Sequence, residues 1–481
     1  MLIWVFVFLH GAIAEEPLTY EAALSQALTA NPDLQQSELN RDQAEASVLS
    51  SRAIFDPNLS VSTNYSWDRN KSFFQGIPFE MKNRNTMGAI SVGGTTATGT
   101  SYDLSSSYMR NYGEYQATSE GSPFGGTSIQ DEYRSSLSAS VTQQVLKGHR
   151  FAYNVQAVEG AQQALRQSEL NYQKTRQSIL SNTAQAYWSW IYQTELVEIR
   201  KTAVSVSSEA YRIGQEKYEK EDISALSLTQ LELAWVQDQS SELEALNAAS
   251  QAQTTLLLAM GRSPTDVISP AVLEVSVPEL SISLEQAVKQ GMVSNVDLAI
   301  ARANVEQADL SARLAKHALL PTLTTSFSAG LGSQGTDAAS ALGGVFREGN
   351  FPNMSVSGQF SMPLGNRAAR GERRRSESSL ASQRMALRSL EQSIQAQIAQ
   401  QVQVLNSAKK RVELADVNLR LAQQSLTAEE AVFDAGRGLQ KEVVEARNTL
   451  ETASVDAVKS RTDFKVALVE LRRLQGVLEG P

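Results

Sequence analysis

After Pro57 the chain alternates between two kinds of side chain: Leu59, Val61, Thr63, Tyr65 and Trp67 on one face, Ser60, Ser62, Asn64 and Ser66 on the other. After Pro321 it does so again, with Leu323, Thr325, Phe327, Ala329 and Leu331 against Thr322, Thr324, Ser326, Ser328 and Gly330. Two further runs lead into long stretches without proline. In one, Leu137, Ala139, Val141 and Val145 face away from Ser136, Ser138, Ser140, Thr142 and Gln144; in the other, Met354, Val356, Phe360 and Met362 face away from Ser355, Ser357, Gln359 and Ser361. Period-two patterning predicts four strands, apolar on one face and small and uncharged-polar on the other. Runs of about ten residues with that split fit transmembrane barrel strands between lipid and a wet lumen. A soluble sandwich exposing a Ser/Thr face predicts the same alternation. Tyr65 and Trp67 stand at a strand end, where interfacial aromatics are expected. Four strands alone cannot close, and a bilayer does not tolerate open edges, so several chains must pool strands into one barrel.

The rest of the pattern has a helical period. Residues 161–213, 215–260 and 372–435 contain neither glycine nor proline. At 1.5 Å per residue a 60-residue helix is ~90 Å long, too long for a globular domain. Ile398, Leu405, Val412, Leu419, Leu426 and Phe433 fall at every seventh position, with Ala408, Ala415 and Ala422 interleaved. Beyond Gly436-Arg437-Gly438 the seam resumes as Val443, Leu450, Ala457, Phe464 and Leu471, partnered by Ala446, Ala453, Ala467 and Leu474. A heptad seam with many small residues predicts a close-packed antiparallel hairpin that turns at Gly436-Arg437-Gly438; a helix bundle with no larger assembly is the bland alternative. Glu442 and Glu445 follow the turn at g and c heptad positions, where a solvated helix face is the plain reading.

The chain repeats itself. Residues 21–62 align without gaps on 285–326, with Asn31/Asn295, Asp33/Asp297, Leu34/Leu298, Gln43/Gln307, Ala44/Ala308, Pro57/Pro321 and Leu59/Leu323 identical, which points to an internal duplication. A first hairpin turns within residues 218–234, where Tyr218 falls opposite Phe433, Glu221 opposite Gly436 and Gly261 opposite Gly476. The first turn therefore lacks the glycine of the second. The offset between the halves falls from 264 to about 215, so the first half carries an insertion of nearly fifty residues within 68–133, rich in Gly, Ser, Thr and Tyr. In it, residues 89–93 and 101–109 read as a hairpin, expected as a surface flap that leaves four strands per chain rather than six.

Composition narrows the function. Residues 1–14 form an apolar run ending Ala12-Ile13-Ala14, expected to be a secretory signal peptide, and no other stretch approaches the ~20 apolar residues of a membrane-spanning helix. There is no cysteine, which excludes disulfides, thiolate metal sites and a cysteine-linked lipid, and fits an oxidising periplasm. A net charge of -9 argues against nucleic acid. The three histidines, His10, His149 and His317, form no Ser/His/Asp or metal-ligand spacing, so no enzyme and no cofactor is expected. Residues 367–375, "RAARGERRR", could make a basic collar at lipid headgroups or an exposed helix start.

The duplicated "ALxxNPxL…PxL" segments (Ala27-Leu28, Asn31-Pro32, Pro57, Pro321), "MPLGN" at 362–366 and "FDAGRGLQKEVVEARNTL" at 433–450 make the mature chain resemble the TolC family of bacterial outer-membrane efflux and export channels. The resemblance implies a homotrimer in which each chain gives about four strands to a twelve-stranded barrel and long helices to a periplasmic tunnel of roughly 100 Å. It further implies that the hairpin tips, here Phe433, Gly436, Arg437 and Gly438 with Tyr218, Glu221 and Asp222, meet an adaptor (membrane fusion) protein and an inner-membrane pump. Glu442 and Glu445 match an acidic pair that narrows the entrance in the family. Three copies of that pair would repel by a few kcal/mol per close contact at an effective dielectric near ~20 and would attract divalent cations. The family's arginine falls on Gly438, one residue after Arg437, and Ser227 and Glu221-Asp222 replace family residues of the first hairpin.

The expected organisation is therefore mixed α and transmembrane β: a signal peptide (1–14), short helices (15–57), barrel strands (58–146, with the insertion 68–133), a long hairpin (147–261), a linker (262–281), short helices (282–321), strands (322–364) and a second long hairpin (365–478). The expected function is the passive outer-membrane channel of a tripartite efflux or type I secretion system. The competing expectation is a structural or adhesive coiled-coil protein with a small soluble β-domain.

Overall fold

A computed structural model describes residues 17–74, 77–117, 127–149, 151–271, 283–347, 351–435, 437 and 440–478. The expected signal peptide, Gly436, Gly438 and much of the linker lie outside them. In chain order the elements are α1 (Tyr20–Ala30), α2 (Pro32–Arg52), β1 (Asn58–Phe74), β2 (Ile77–Thr95), β3 (Thr100–Ala117), β4 (Thr127–Gln144), α3 (Phe151–Asn154), α4 (Gln156–Glu219), α5 (Ala225–Ala259), α6 (Leu284–Ser294), α7 (Val296–His317), β5 (Thr322–Gly335), α8 (Ala338–Gly344), β6 (Phe351–Ser361), α9 (Arg367–Asp434) and α10 (Gln440–Gln475). The 68 residues of α9 make a helix of about 100 Å. The chain divides into two compact units, residues 1–42, 167–303 and 385–481 in one, 43–166 and 304–384 in the other.

The first unit is helical. Its largest core joins Ile398, Leu405, Ala408 and Val412 of α9 to Phe464, Ala467, Leu471 and Leu474 of α10, with Ala287 and Leu298 from α6 and α7. These are the heptad positions, and buried Ala422, Ala446, Ala453 and Ala457 let the two helices approach closely. A second core sets Tyr187, Trp188, Trp190 and Ile191 of α4 against Leu256 and Leu257 of α5 and Met260 just after it. Gly214 does not end α4: it is buried, and a side chain there would strike Leu231 of α5.

The duplication recurs as a pair of clasps. Asn31, just before α2, donates from Nδ2 to the Ala259 carbonyl at the end of α5 (2.9 Å) and accepts from the Asp33 amide (2.9 Å). Asn295, just before α7, donates to the Leu474 carbonyl at the end of α10 (2.9 Å) and accepts from the Leu298 amide (3.1 Å). Each asparagine thus satisfies an orphan donor at one helix start and an orphan acceptor at another helix end. Gly261 (φ 75°) and Gly476 (φ 71°) close α5 and α10 in left-handed conformations. A β-carbon on Gly261 would meet Ala30, and one on Gly476 would meet Ser294.

The second unit is built on one antiparallel sheet in the order β1-β2-β3-β4-β5-β6. The expectation of about four strands with a surface flap is therefore corrected to six. The inserted segment supplies most of β2 and β3, which pair with each other through a turn at 96–99 and with β1 and β4 along their full lengths. The reason lies in register. Three of the charged residues that interrupt the apolar alternation meet opposite charges on the next strand, Arg69 against Glu80 (2.5 Å), Lys82 against Glu114 (3.1 Å) and Arg110 bidentate to Asp131 (2.9 and 2.8 Å), and Arg84 lies over the Tyr112 ring.

The register sorts the sheet into rows. One face carries Leu59, Val92, Leu104, Ala139, Ala329 and Met354 in one row and Val61, Ile90, Ser106, Leu137, Leu331 and Pro352 in the next. Further toward the Phe74 end of β1 this face becomes aromatic, with Tyr65, Trp67, Tyr108, Tyr112 and Tyr133, and then charged. The opposite face carries a row-by-row array of Ser, Thr and Asn at the end nearest Pro57 and Pro321, with Asp103 among them, and Met87, Met109, Glu132 and Arg134 farther along. The apolar face is bare where α8 does not cover it, Val61 being 68% and Met354 73% exposed.

At the junction of strands and helices Gly365 (φ 86°) and Asn366 (φ 42°) turn the chain from β6 into α9, and Asn366 donates to the Leu319 carbonyl (3.3 Å). His317 accepts from the Gly148 amide (3.3 Å) and packs on Tyr153, a junction role; His149 is exposed. Arg373 and Arg375 pair with Glu377 and Glu372 on their own helix.

Candidate functional site

Two regions collect the residues singled out by the sequence: the hairpin tips in the helical unit and the polar face of the sheet in the other. At the first tip α4 ends in a Schellman motif, the Glu221 amide bonding the Tyr218 carbonyl (3.0 Å) and the Asp222 amide the Lys217 carbonyl (2.9 Å). The same paired bonds close α5 at Gly261 and α10 at Gly476. The motif needs a left-handed residue at its C′ position, and at the first tip that residue is Glu221, with φ 62°. The sequence marked Glu221 as the counterpart of Gly436; the backbone shows what the missing glycine costs. At the second tip the Arg437 amide bonds the Val432 carbonyl (3.1 Å), the outer bond of that motif. A Glu221→Gly variant is expected to gain up to about 1 kcal/mol by relieving the left-handed strain. The check is the thermal midpoint of purified protein, and a lowered midpoint would contradict the assignment.

The structure brings the two tips together. Lys217 Nζ lies 5.7 Å from the ring centroid of half-buried Phe433, a cation–π contact that sequence spacing gave no means of finding. Tyr218 is exposed beside it, and Arg437 is exposed at the turn. Glu442 and Glu445 are both exposed at the start of α10, one helical turn apart, while Val443 and Ala446 between and beside them are buried. Glu442 sits in the first turn, where helix-dipole charge favours a carboxylate. Glu445 pairs with Lys441 (3.4 Å). Each acid thus has a local stabilising role, and both leave their carboxylates at the surface.

Behind the tips a groove of about 570 Å³ runs between the hairpins, lined by Val206, Ala210, Leu231, Leu426 and Val444, with Glu451 at its edge. Arg200 binds Glu451. Burial nevertheless pushes the Glu451 carboxyl above the usual range, against the pull of Arg200 and with Asp238 adding to the rise. Deeper in the helices burial raises Tyr187 to about 12, and its hydroxyl donates to the Leu18 carbonyl (3.3 Å), a structural bond.

The polar face of the sheet is knitted by hydroxyl pairs across strands: Ser60–Ser91 (2.7 Å), Ser105–Ser138 (2.8 Å), Ser107–Ser136 (2.7 Å), Thr142–Ser326 (3.0 Å) and Ser328–Ser355 (2.8 Å). The alternation located these residues, but their pairing needed the register. Hydroxyls that satisfy one another present a wettable, uncharged surface with little pull on any one solute, which suits passage better than capture.

A sequence model described as "Outer membrane efflux protein" matches residues 23–262 and 288–477. No curated protein sequence matches. Among solved structures, the fold is similar to the CmeC outer membrane channel of Campylobacter jejuni, at 14% identity and a TM-score of 0.67, covering 96% of this chain and 89% of that one. It is similar to the outer membrane protein VceC of Vibrio cholerae, at 15% identity and a TM-score of 0.65, covering 95% and 96%. It is also similar to the open state of the MtrE outer membrane channel of Neisseria gonorrhoeae, at 16% identity and a TM-score of 0.65, covering 95% and 88%.

Proposed function

We propose, from the premise that this chain belongs to the outer membrane efflux protein family, that it is the passive outer-membrane duct of a tripartite efflux or type I secretion system. It is an outer-membrane protein with a helical periplasmic part, and its family is one of channels rather than enzymes. The observation that carries the reading is the six-stranded sheet with a bare apolar face, a hydroxyl-lined opposite face and open edges at β1 and β6. A soluble β-domain would bury one face under a second layer, so the structural or adhesive alternative is disfavoured.

On this reading three copies pair β1 of each with β6 of the next, and three times six strands close an eighteen-stranded barrel. That is wider than the twelve strands expected from the resemblance, since diameter grows with strand number. Residues 58–146 and 322–364 supply the membrane strands, and residues 147–261 and 365–478 the periplasmic hairpins. Exposed Leu226, Leu233, Val236 and Leu243 on α5 and Leu414, Val417 and Leu421 on α9 are spaced seven and three apart, as inter-chain seams require. Extraction from outer membranes as a heat-labile trimer is the expected result; a soluble monomer would sink the channel reading.

The tips, Phe433, Gly436, Arg437 and Gly438 with Tyr218, Glu221 and Asp222, are then the adaptor contact, and the three copies of Glu442 and Glu445 a gate ring able to hold a divalent cation. Planar-bilayer conductance of a Glu442→Gln/Glu445→Gln protein is expected to lose block by divalent cations. Undiminished block would remove these acids from the gate.

A further inference from the structure

Between β5 and β6 the chain folds into α8, a helix without a charged residue, held against the sheet. Asp337 and Ser340 form a capping box at its start, and Ser135 of β4 donates to the Ala341 carbonyl. The contact is close because glycines stand at it: a β-carbon on Gly335 would meet Ser340, and one on Gly344 would meet Ser333. Ser135 and Ser333 are partners in the register, one row beyond Leu137 and Leu331. So α8 lies on the apolar face of the sheet, at the end of its apolar rows.

Its own burial is split. Ala341 and Val345 are buried against the sheet, whereas Leu342 is 52% and Phe346 79% exposed, pointing away from it. Leu342 on this short charge-free helix and Phe346 in the turn just after it are costly in water and favourable at a lipid boundary. The row containing Gly335 also contains Tyr133, Arg110, Thr86 and Tyr65. On β1–β4 this row and its neighbours carry the aromatic belt. β5 ends at Gly335 and β6 begins opposite Gly332, so β5 brings only a glycine to that row and β6 does not reach it.

We propose that α8 is an interfacial lipid-contacting helix, which seats Leu342 and Phe346 at the boundary between acyl chains and headgroups and completes the belt over the two short strands. The occupant is lipid because the exposed residues are uncharged and stand on the same face as the bare apolar rows, one serine row beyond Leu137 and Leu331, with Arg347 directly after them in sequence. The inference rests on the barrel reading above, and its test separates the two.

The chain has no cysteine, so a nitroxide can be placed at single engineered cysteines without background. Leu342→Cys, Phe346→Cys, Val356→Cys on an apolar row and Ser357→Cys on the hydroxyl face are labelled, reconstituted into phospholipid vesicles, and read by collision with oxygen and with a water-soluble nickel chelate. At Leu342→Cys and Phe346→Cys the oxygen-to-nickel ratio is expected to be several-fold above that at Ser357→Cys and close to that at Val356→Cys. Nickel-dominated collisions at both helix positions, with Val356→Cys still oxygen-dominated, would overturn the lipid contact and leave the barrel standing. Low collision with both reagents at the helix would assign its cover to protein, and also overturn it. Nickel-dominated collisions at Val356→Cys would take down the barrel reading itself. Where Phe346→Cys fails to assemble, Leu342→Cys alone decides.

Discussion

A chain carrying Leu233→Glu and Leu243→Glu is expected to lose the trimer while keeping its helices. In one chain these leucines are 56% and 62% exposed on α5, so the hairpin that carries them barely depends on them. In the proposed trimer, which would bury them between copies, each leucine would contribute about 1.5–3 kcal/mol, so two per chain amount to on the order of 10 kcal/mol across three chains. Glutamate removes that term and adds charges that must be desolvated to reform the seam. The measurement is migration of unheated, detergent-extracted protein, alongside circular dichroism of the same sample. Monomers with parental helicity are expected; an intact trimer would move the inter-chain seam away from α5.

The second large effect falls on the clasp between α7 and α10. Asn295 is 4% exposed, and both its amide bonds go to backbone groups at helix ends. In Asn295→Ala the Leu474 carbonyl and the Leu298 amide lose their partners where water does not replace them, at about 1–3 kcal/mol each. A loss of about 2–4 kcal/mol is expected in all. Gly476→Val is expected to be worse, because it adds a β-branched residue at φ 71° and a collision with Ser294. Denaturant midpoints of the purified proteins measure both. A shift under about 0.5 kcal/mol for Asn295→Ala would mean that the clasp reports the duplication without holding it together. The equivalent change at Asn31, which binds Ala259, should behave alike.

How much of this was legible varies by element. Heptad spacing placed Ile398, Leu405, Val412, Phe464 and Leu471 in one seam, and all five are buried. The aligned halves marked Asn31 with Asn295 and Gly261 with Gly476, the four residues of the two clasps. Glu221 stood out as the turn residue that occupies the place of Gly436 in the second hairpin. The insertion is the exception: residues 89–93 and 101–109 read as the hairpin of a surface flap, whereas the segment joins the sheet, with Arg69, Lys82 and Arg110 each meeting an acid on the neighbouring strand.

The sequence by itself determined whatever depends on neighbours along the chain. Periods of two and of seven sort side chains onto faces before any contact forms, long proline-free stretches permit the long helices, and duplicated residues set the repeat. Tertiary structure decided what depends on neighbours across it. Whether a charge sits in a strand turns on the residue opposite, and that is fixed only by register. For that reason the six-stranded sheet, the hydroxyl pairs of Ser60 with Ser91 and of Ser328 with Ser355, the contact of Lys217 with Phe433 and the seat of α8 on the apolar face became visible only in the folded chain.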